Sequence, residues 1–147
     1  MITACITLMR KQVMSAFTAW RISSSFALRS CRQFYTFGPD GHTLLTTGAD
    51  GTARLWEVAS RQAIITLYDH SGAVRSGAFS PNGSTLITTG DDGAVQLWDT
   101  VSHQLITALG EHNGTINKLA FSPDDRTLAT ANEDGTAQLW DIANRHR

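Results

Sequence analysis

The 147 residues carry 12 Lys and Arg against 13 Asp and Glu, a net charge of −1 at pH 7, which excludes the densely cationic surface that phosphate binding needs. Two cysteines, Cys5 and Cys31, stand without a CxxC or ligand-like spacing, so neither a disulfide framework nor a zinc site is expected. No apolar run approaches the ~20 residues of a membrane span, and the expectation is a cytoplasmic protein with neither membrane nor nucleic-acid partners.

The charge is unevenly placed along the chain. Residues 1–36 hold Arg10, Lys11, Arg21, Arg29 and Arg32 and no acid, leaving 7 basic and 13 acidic residues over 37–147. Frequent Ser and Arg without acids is how a mitochondrial transit peptide reads, the alternative to a cytoplasmic location. The same stretch also reads as a non-repeat extension or a partial repeat. Met9 to Ile22 sets Val13, Met14, Phe17 and Trp20 near helical spacing, so an irregular or partly helical extension is expected over 1–36.

From residue 37 the chain repeats. Phe37, Phe79 and Phe121 are 42 residues apart, as are Trp56, Trp98 and Trp140, and residues 37–78 set against 79–120 share 19 identities. Chance would give about three at ordinary residue frequencies. Three units follow, 37–78, 79–120 and 121–147, the last ending about where its fourth strand should begin.

In the central unit four apolar or β-branched runs, Ala73–Phe79, Thr85–Thr89, Ala94–Trp98 and Gln104–Leu109, are parted by turn residues, which predicts four short strands and leaves no room for a helix. Pro81-Asn82-Gly83 and Asp92-Gly93 are the turns, repeated as Pro39-Asp40-Gly41 with Asp50-Gly51 and as Pro123-Asp124-Asp125 with Asp134-Gly135. Asp125 stands where the other units have glycine, so a residue with a side chain must take a glycine conformation. Unit one lacks a good inner strand unless Arg32 to Phe37 serves, and Ile2 to Leu8 is a candidate for the strand missing from unit three. Small Ser76-Gly77-Ala78 on the first run and bulky Leu97-Trp98 on the third describe a sheet that tapers inward, a propeller blade.

Asp69-His70, Phe79-Ser-Pro-Asn-Gly83, Asp92-Gly93 and Leu97-Trp98-Asp99 resemble a WD repeat, echoed by Glu111-His112 and Trp140-Asp141 and, in unit one, by Trp56-Glu57. The resemblance covers 37–147. It implies an all-β open segment of a β-propeller with about three four-stranded antiparallel blades, where closed rings take roughly four to eight and commonly about seven.

His70, Thr88, Asp92 and Trp98 recur as His112, Thr130, Asp134 and Trp140. A hydroxyl, an imidazole and a carboxylate suggest a nucleophilic triad; the resemblance implies instead a structural tetrad running from indole through hydroxyl and imidazole to carboxylate. Unit one keeps Thr46, Asp50 and Trp56 but has Leu28 where His should stand, so its blade is expected to be the weakest. Asp91-Asp92-Gly93 lacks the ligand pattern of a calcium loop, and no phosphate loop or Gly-x-Ser-x-Gly elbow occurs. No catalytic residue, metal or cofactor is therefore expected.

The resemblance further implies a non-catalytic interaction scaffold. Its docking rim would carry Ser71, Asp91, Asn113 and Glu133 and favour a basic or hydrogen-bonding peptide. The alternatives are a regulatory or sensing region detached from a multidomain kinase, protease or nucleotide switch, and a propeller-based enzyme. An open array of three blades exposes an apolar face at each end, so either self-association that completes a ring or a fragment marginally stable by itself is expected.

Overall fold

Short β-branched and apolar runs cut by Pro, Asn, Asp and Gly give strands of three to seven residues. The computed structural model describes residues 34–68, 70–111 and 114–143, and among them every regular element is a strand. In chain order these are β1 (Tyr35–Phe37), β2 (Thr43–Thr47), β3 (Ala53–Glu57), β4 (Ala63–Leu67), β5 (Val74–Phe79), β6 (Thr85–Gly90), β7 (Ala94–Asp99), β8 (Leu105–Glu111), β9 (Ile116–Phe121), β10 (Thr127–Asn132) and β11 (Ala137–Asp141). They form three antiparallel meanders, β1-β2-β3-β4, β5-β6-β7-β8 and β9-β10-β11. The four strands read in the central unit are β5 to β8. The stretch 32–37 supplies the innermost strand of the first sheet as β1, which is only three residues long and extended by Phe34, whose N–H donates to Thr47 Oγ1 at 3.2 Å. The helix expected over Met9–Ile22, the strand expected from Ile2–Leu8, and Leu28 lie outside the described residues.

Counted from phenylalanine to phenylalanine, the units cut across the sheets. All but the last residue of β5 falls within 37–78 by sequence, yet the strand pairs with β6 of the central sheet, Gly77 opposite Thr88 and Phe79 opposite Leu86.

The cores lie between sheets. Leu45, Ala53, Leu55 and Leu67 of the first sheet meet Val74, Leu86 and Trp98 of the central one. Ile87, Val95, Leu97 and Leu109 of the central sheet meet Ile116, Leu128 and Trp140 of the third. Every residue of the second cluster stands 42 positions after its counterpart in the first, so one packing solution is used twice. A sheet covered on both faces has no polar side to alternate with; thus β7 is buried along its four central residues. Its counterpart β11 alternates exposed and covered positions and is the edge strand of a three-stranded sheet.

Inner strand β5 packs beside β1, β2 and β9, and a Cβ at Gly77 would overlap Leu45 Cδ2 of the first sheet and lie 3.1 Å from the Ile87 carbonyl oxygen. Only a residue without a side chain permits that approach. The tight turns behave as their sequences require. Gly41 and Gly83 have φ of 70° and 74°, and Asp125 takes 60° in their place.

Candidate functional site

The central unit assembles its four polar residues from four places in the chain. His70 comes from the β4–β5 connection, Thr88 from β6, Asp92 from the β6–β7 turn and Trp98 from β7. Strand pairing sets Leu86 opposite Trp98 and Thr88 opposite Gln96, which brings the indole Nε1–H to Thr88 Oγ1 at 2.9 Å. His70 Nε2 lies 2.9 Å from the same oxygen, and His70 Nδ1 lies 3.0 and 2.9 Å from the two Asp92 oxygens. With the neutral imidazole protonated on Nδ1 every donor finds an acceptor: indole to hydroxyl, hydroxyl to Nε2, Nδ1–H to carboxylate. Asp92 also accepts the backbone N–H groups of Ser71 at 3.0 Å and Ala94 at 3.2 Å. The carboxylate thereby fastens the incoming loop to the turn.

Gly90 makes room for this closure. A Cβ there would meet the Ala73 carbonyl oxygen at 2.6 Å and His70 Nδ1 at 3.3 Å. Hydroxyl, imidazole and carboxylate stand at the spacing of a nucleophile, its base and an orienting acid. Thr88, however, is fully buried, and its oxygen already receives the indole proton. The geometry suits satisfaction of buried polar groups, each of which would be costly alone.

The flanking units show parts of the same arrangement. Trp56 Nε1–H donates to Thr46 Oγ1 at 2.9 Å, while Asp50 turns to its own loop: it accepts from Thr52 N and Oγ1 at 3.1 and 2.6 Å and pairs with Arg54 Nη2 at 3.1 Å. The hydroxyl of Thr52, ahead of Arg54, holds the Asp50 carboxyl below its ordinary pKa. In unit three Trp140 Nε1–H donates to Thr130 Oγ1 at 3.1 Å, and Asp134 accepts from Thr136 N and Oγ1 at 2.8 and 2.6 Å. His112 lies outside the described residues. The counterpart of Gly90 here is Asn132, whose side-chain Nδ2 donates to Thr136 Oγ1 at 2.9 Å.

At the rim, Ser71 and Glu133 are exposed, and Asn113 is outside the described residues. Asp91 is bound bidentately by Arg75, Nε to Oδ1 at 2.6 Å and Nη2 to Oδ2 at 2.7 Å. That hydrogen-bonded guanidinium holds the Asp91 carboxyl below its usual value, and Arg75 is raised by Asp91 first and by the Glu133 charge last. Sequence reasoning missed Arg75. Its signal was an arginine standing alone in register, with Gln33 and Asn117 at the matching positions, in the one unit that carries Asp-Asp-Gly.

A family model for the WD domain, G-beta repeat, matches residues 17–57, 61–99 and 103–141. The chain belongs to the WD40 repeat family. Each of the last two matches opens on the outer strand of one sheet and closes on the third strand of the next: 61–99 holds β4 with β5–β7, and 103–141 holds β8 with β9–β11. Each of these WD40 repeats thus spans parts of two neighbouring blades. The first match begins at residue 17, inside the stretch read from sequence as an extension over 1–36. A search of curated proteins finds no match for the chain. WD40 repeats in general serve as protein-interaction scaffolds and are typically non-catalytic.

Proposed function

We propose that this chain is a non-catalytic protein-interaction module whose repeated polar residues hold blades together and whose turns meet the partner. The observation that carries the reading is the burial of the Thr88–His70–Asp92 chain between packed sheets. Chemistry-bearing side chains are consumed by structure, while the exposed polar groups sit on turns. Residues 37–147 carry 7 basic and 13 acidic residues, which supports a basic or hydrogen-bonding peptide over nucleic acid. Because Arg75 already occupies Asp91, Glu133 and Ser71 carry the available rim. Photo-crosslinking from position 71 in cell extract, followed by mass spectrometry, tests this. A discrete crosslinked protein lost on Glu133→Lys supports the rim, and labelling of Thr88 or Thr130 by serine-hydrolase probes in the folded protein overturns the non-catalytic reading.

The third sheet supports a second element. Leu139 is 67% exposed, whereas Leu97, 42 positions earlier, is 2% exposed beneath the third sheet. This favours a partner surface supplied by a second copy or by further repeats, as expected of a regulatory region within a larger signalling assembly. The proposed location is the cytoplasm, with mitochondrial import as the alternative; a carboxy-terminal fluorescent fusion separates the two.

A further inference from the structure

At the end of the blades opposite the rim, the β1–β2, β5–β6 and β7–β8 turns enclose a cleft of about 550 Å³ between the first and central sheets. Its apolar wall is made by Leu55, Ile64, Phe79, Pro81 and Val101. Ile64 is 44% exposed and Val101 86% exposed, so two large aliphatic side chains stand in water beside the same depression. Clefts of this size with apolar walls and a few polar groups are where ligands dock. Asp40 is the carboxylate that lines this cleft, with His103 beside it, and among the described residues no Lys or Arg does. The Asp40 carboxyl is held below its ordinary pKa by the backbone N–H of His42, and among the described residues its Oδ2 accepts from Thr43 Oγ1 alone, at 3.0 Å, with capacity for a further donor.

We propose that this cleft docks an extended segment of a partner protein that places an apolar side chain against Phe79, Ile64 and Val101 and an adjacent lysine or arginine on Asp40. It rests on the interaction reading above and adds a second docking end and the chemistry of its occupant. The apolar contact provides the anchor and the carboxylate selects sign, because an exposed charge pair contributes little to affinity by itself.

The test is fluorescence anisotropy of the whole chain with labelled nine-residue peptides centred on Lys-Leu-Lys, Glu-Leu-Glu or Lys-Ser-Lys. Lys-Leu-Lys is expected to bind tightest. Asp40→Asn should weaken it about two- to fivefold, the range an exposed charge pair supports. The folding of that variant is protected, because Asn82 holds the equivalent turn in the central unit, its Oδ1 accepting from Ser84 N at 2.9 Å. Val101→Lys should weaken binding about tenfold or more by removing an apolar contact and adding repulsion. Glu133→Gln, at the other end, should weaken it less than either cleft variant does. Equal binding of Glu-Leu-Glu, no saturable binding of Lys-Leu-Lys, or indifference to both cleft variants overturns the proposal. Binding lost on Glu133→Gln but kept in both cleft variants overturns the cleft while leaving the interaction reading standing.

Discussion

Trp98 does two things at once: its ring fills the core between the first and central sheets, and its N–H begins the chain that ends on Asp92. Trp98→Ala is expected to cost about 3–5 kcal/mol, as large aromatic truncations in a packed core do. Trp56→Ala should cost less, since Trp56 is only half-buried; equal losses in urea titration would refute a special role for the central tetrad. The identities of the tetrad residues were legible because they recur every 42 residues, and in the central set hydrogen bonds run from Trp98 through Thr88 and His70 to Asp92. What the repeat could not show is where unit one departs from it. Arg54, standing where the other units have Gln96 and Gln138, takes up Asp50, so the pairing depends on a substitution rather than a repeat. The turn carboxylates also set an acid limit. Asp40, Asp50, Asp91, Asp99 and Asp124 are all lowered from 3.8, Asp99 chiefly by the Ser102 backbone N–H and Asp124 by the Ser122 hydroxyl. With folded values below unfolded ones, their stabilisation is fully present above about pH 4 and is lost as pH falls through the lowered values. Melting temperature should therefore be flat from pH 7 to 5 and drop below pH 4, with a shallower drop for Asp91→Asn.

Strands and turns were read nearly as they stand, because period-two patterning and Asp-Gly signals act locally. The inner strand of unit one was harder, since Arg32 to Phe37 carries Phe34 and Tyr35 where the central unit has Ser76 and Gly77, and only pairing with β2 makes it a strand. Packing between elements explains constraints that turn chemistry alone leaves out. Gly51 needs its φ of 79° for the β2–β3 turn, but it also faces the next blade: an added Cβ would lie 2.9 Å from the His70 carbonyl oxygen and 3.2 Å from that of Gly72. Gly135, with φ of 84°, has open space at the same point. Gly51→Ala therefore suffers both backbone strain and a clash, whereas Gly135→Ala suffers strain alone, worth roughly 1–2 kcal/mol. Thermal melts should rank Gly51→Ala clearly below Gly135→Ala. Equal midpoints would show that the blades do not meet at the β2–β3 turn.

At the scale of the molecule, each of the last two repeats gives its outer strand to one blade and its remaining strands to the next, and neighbouring blades are held together by the connecting loops and by the apolar cores packed between their sheets. Stability in such an array is a sum of blade and interface contributions, and the same contact is made twice here. The third sheet presents the face that would make it again. Ala129, Ala137 and Leu139 occupy the positions of Ile87, Val95 and Leu97, but with two small residues in place of larger ones and with Leu139 mostly in water. An exposed apolar face beside an edge strand favours association. Sedimentation velocity of the 16.0 kDa chain is expected to show concentration-dependent species larger than the monomer, with binding of a hydrophobic dye that weakens as they form. Leu139→Lys should shift the distribution toward monomer and lower dye binding while changing the melting midpoint little, since substitutions at exposed sites are usually within about 0.5 kcal/mol. A parent chain that stays monomeric at every concentration, binds no dye and unfolds in one sharp transition would show that the third sheet needs no covering partner.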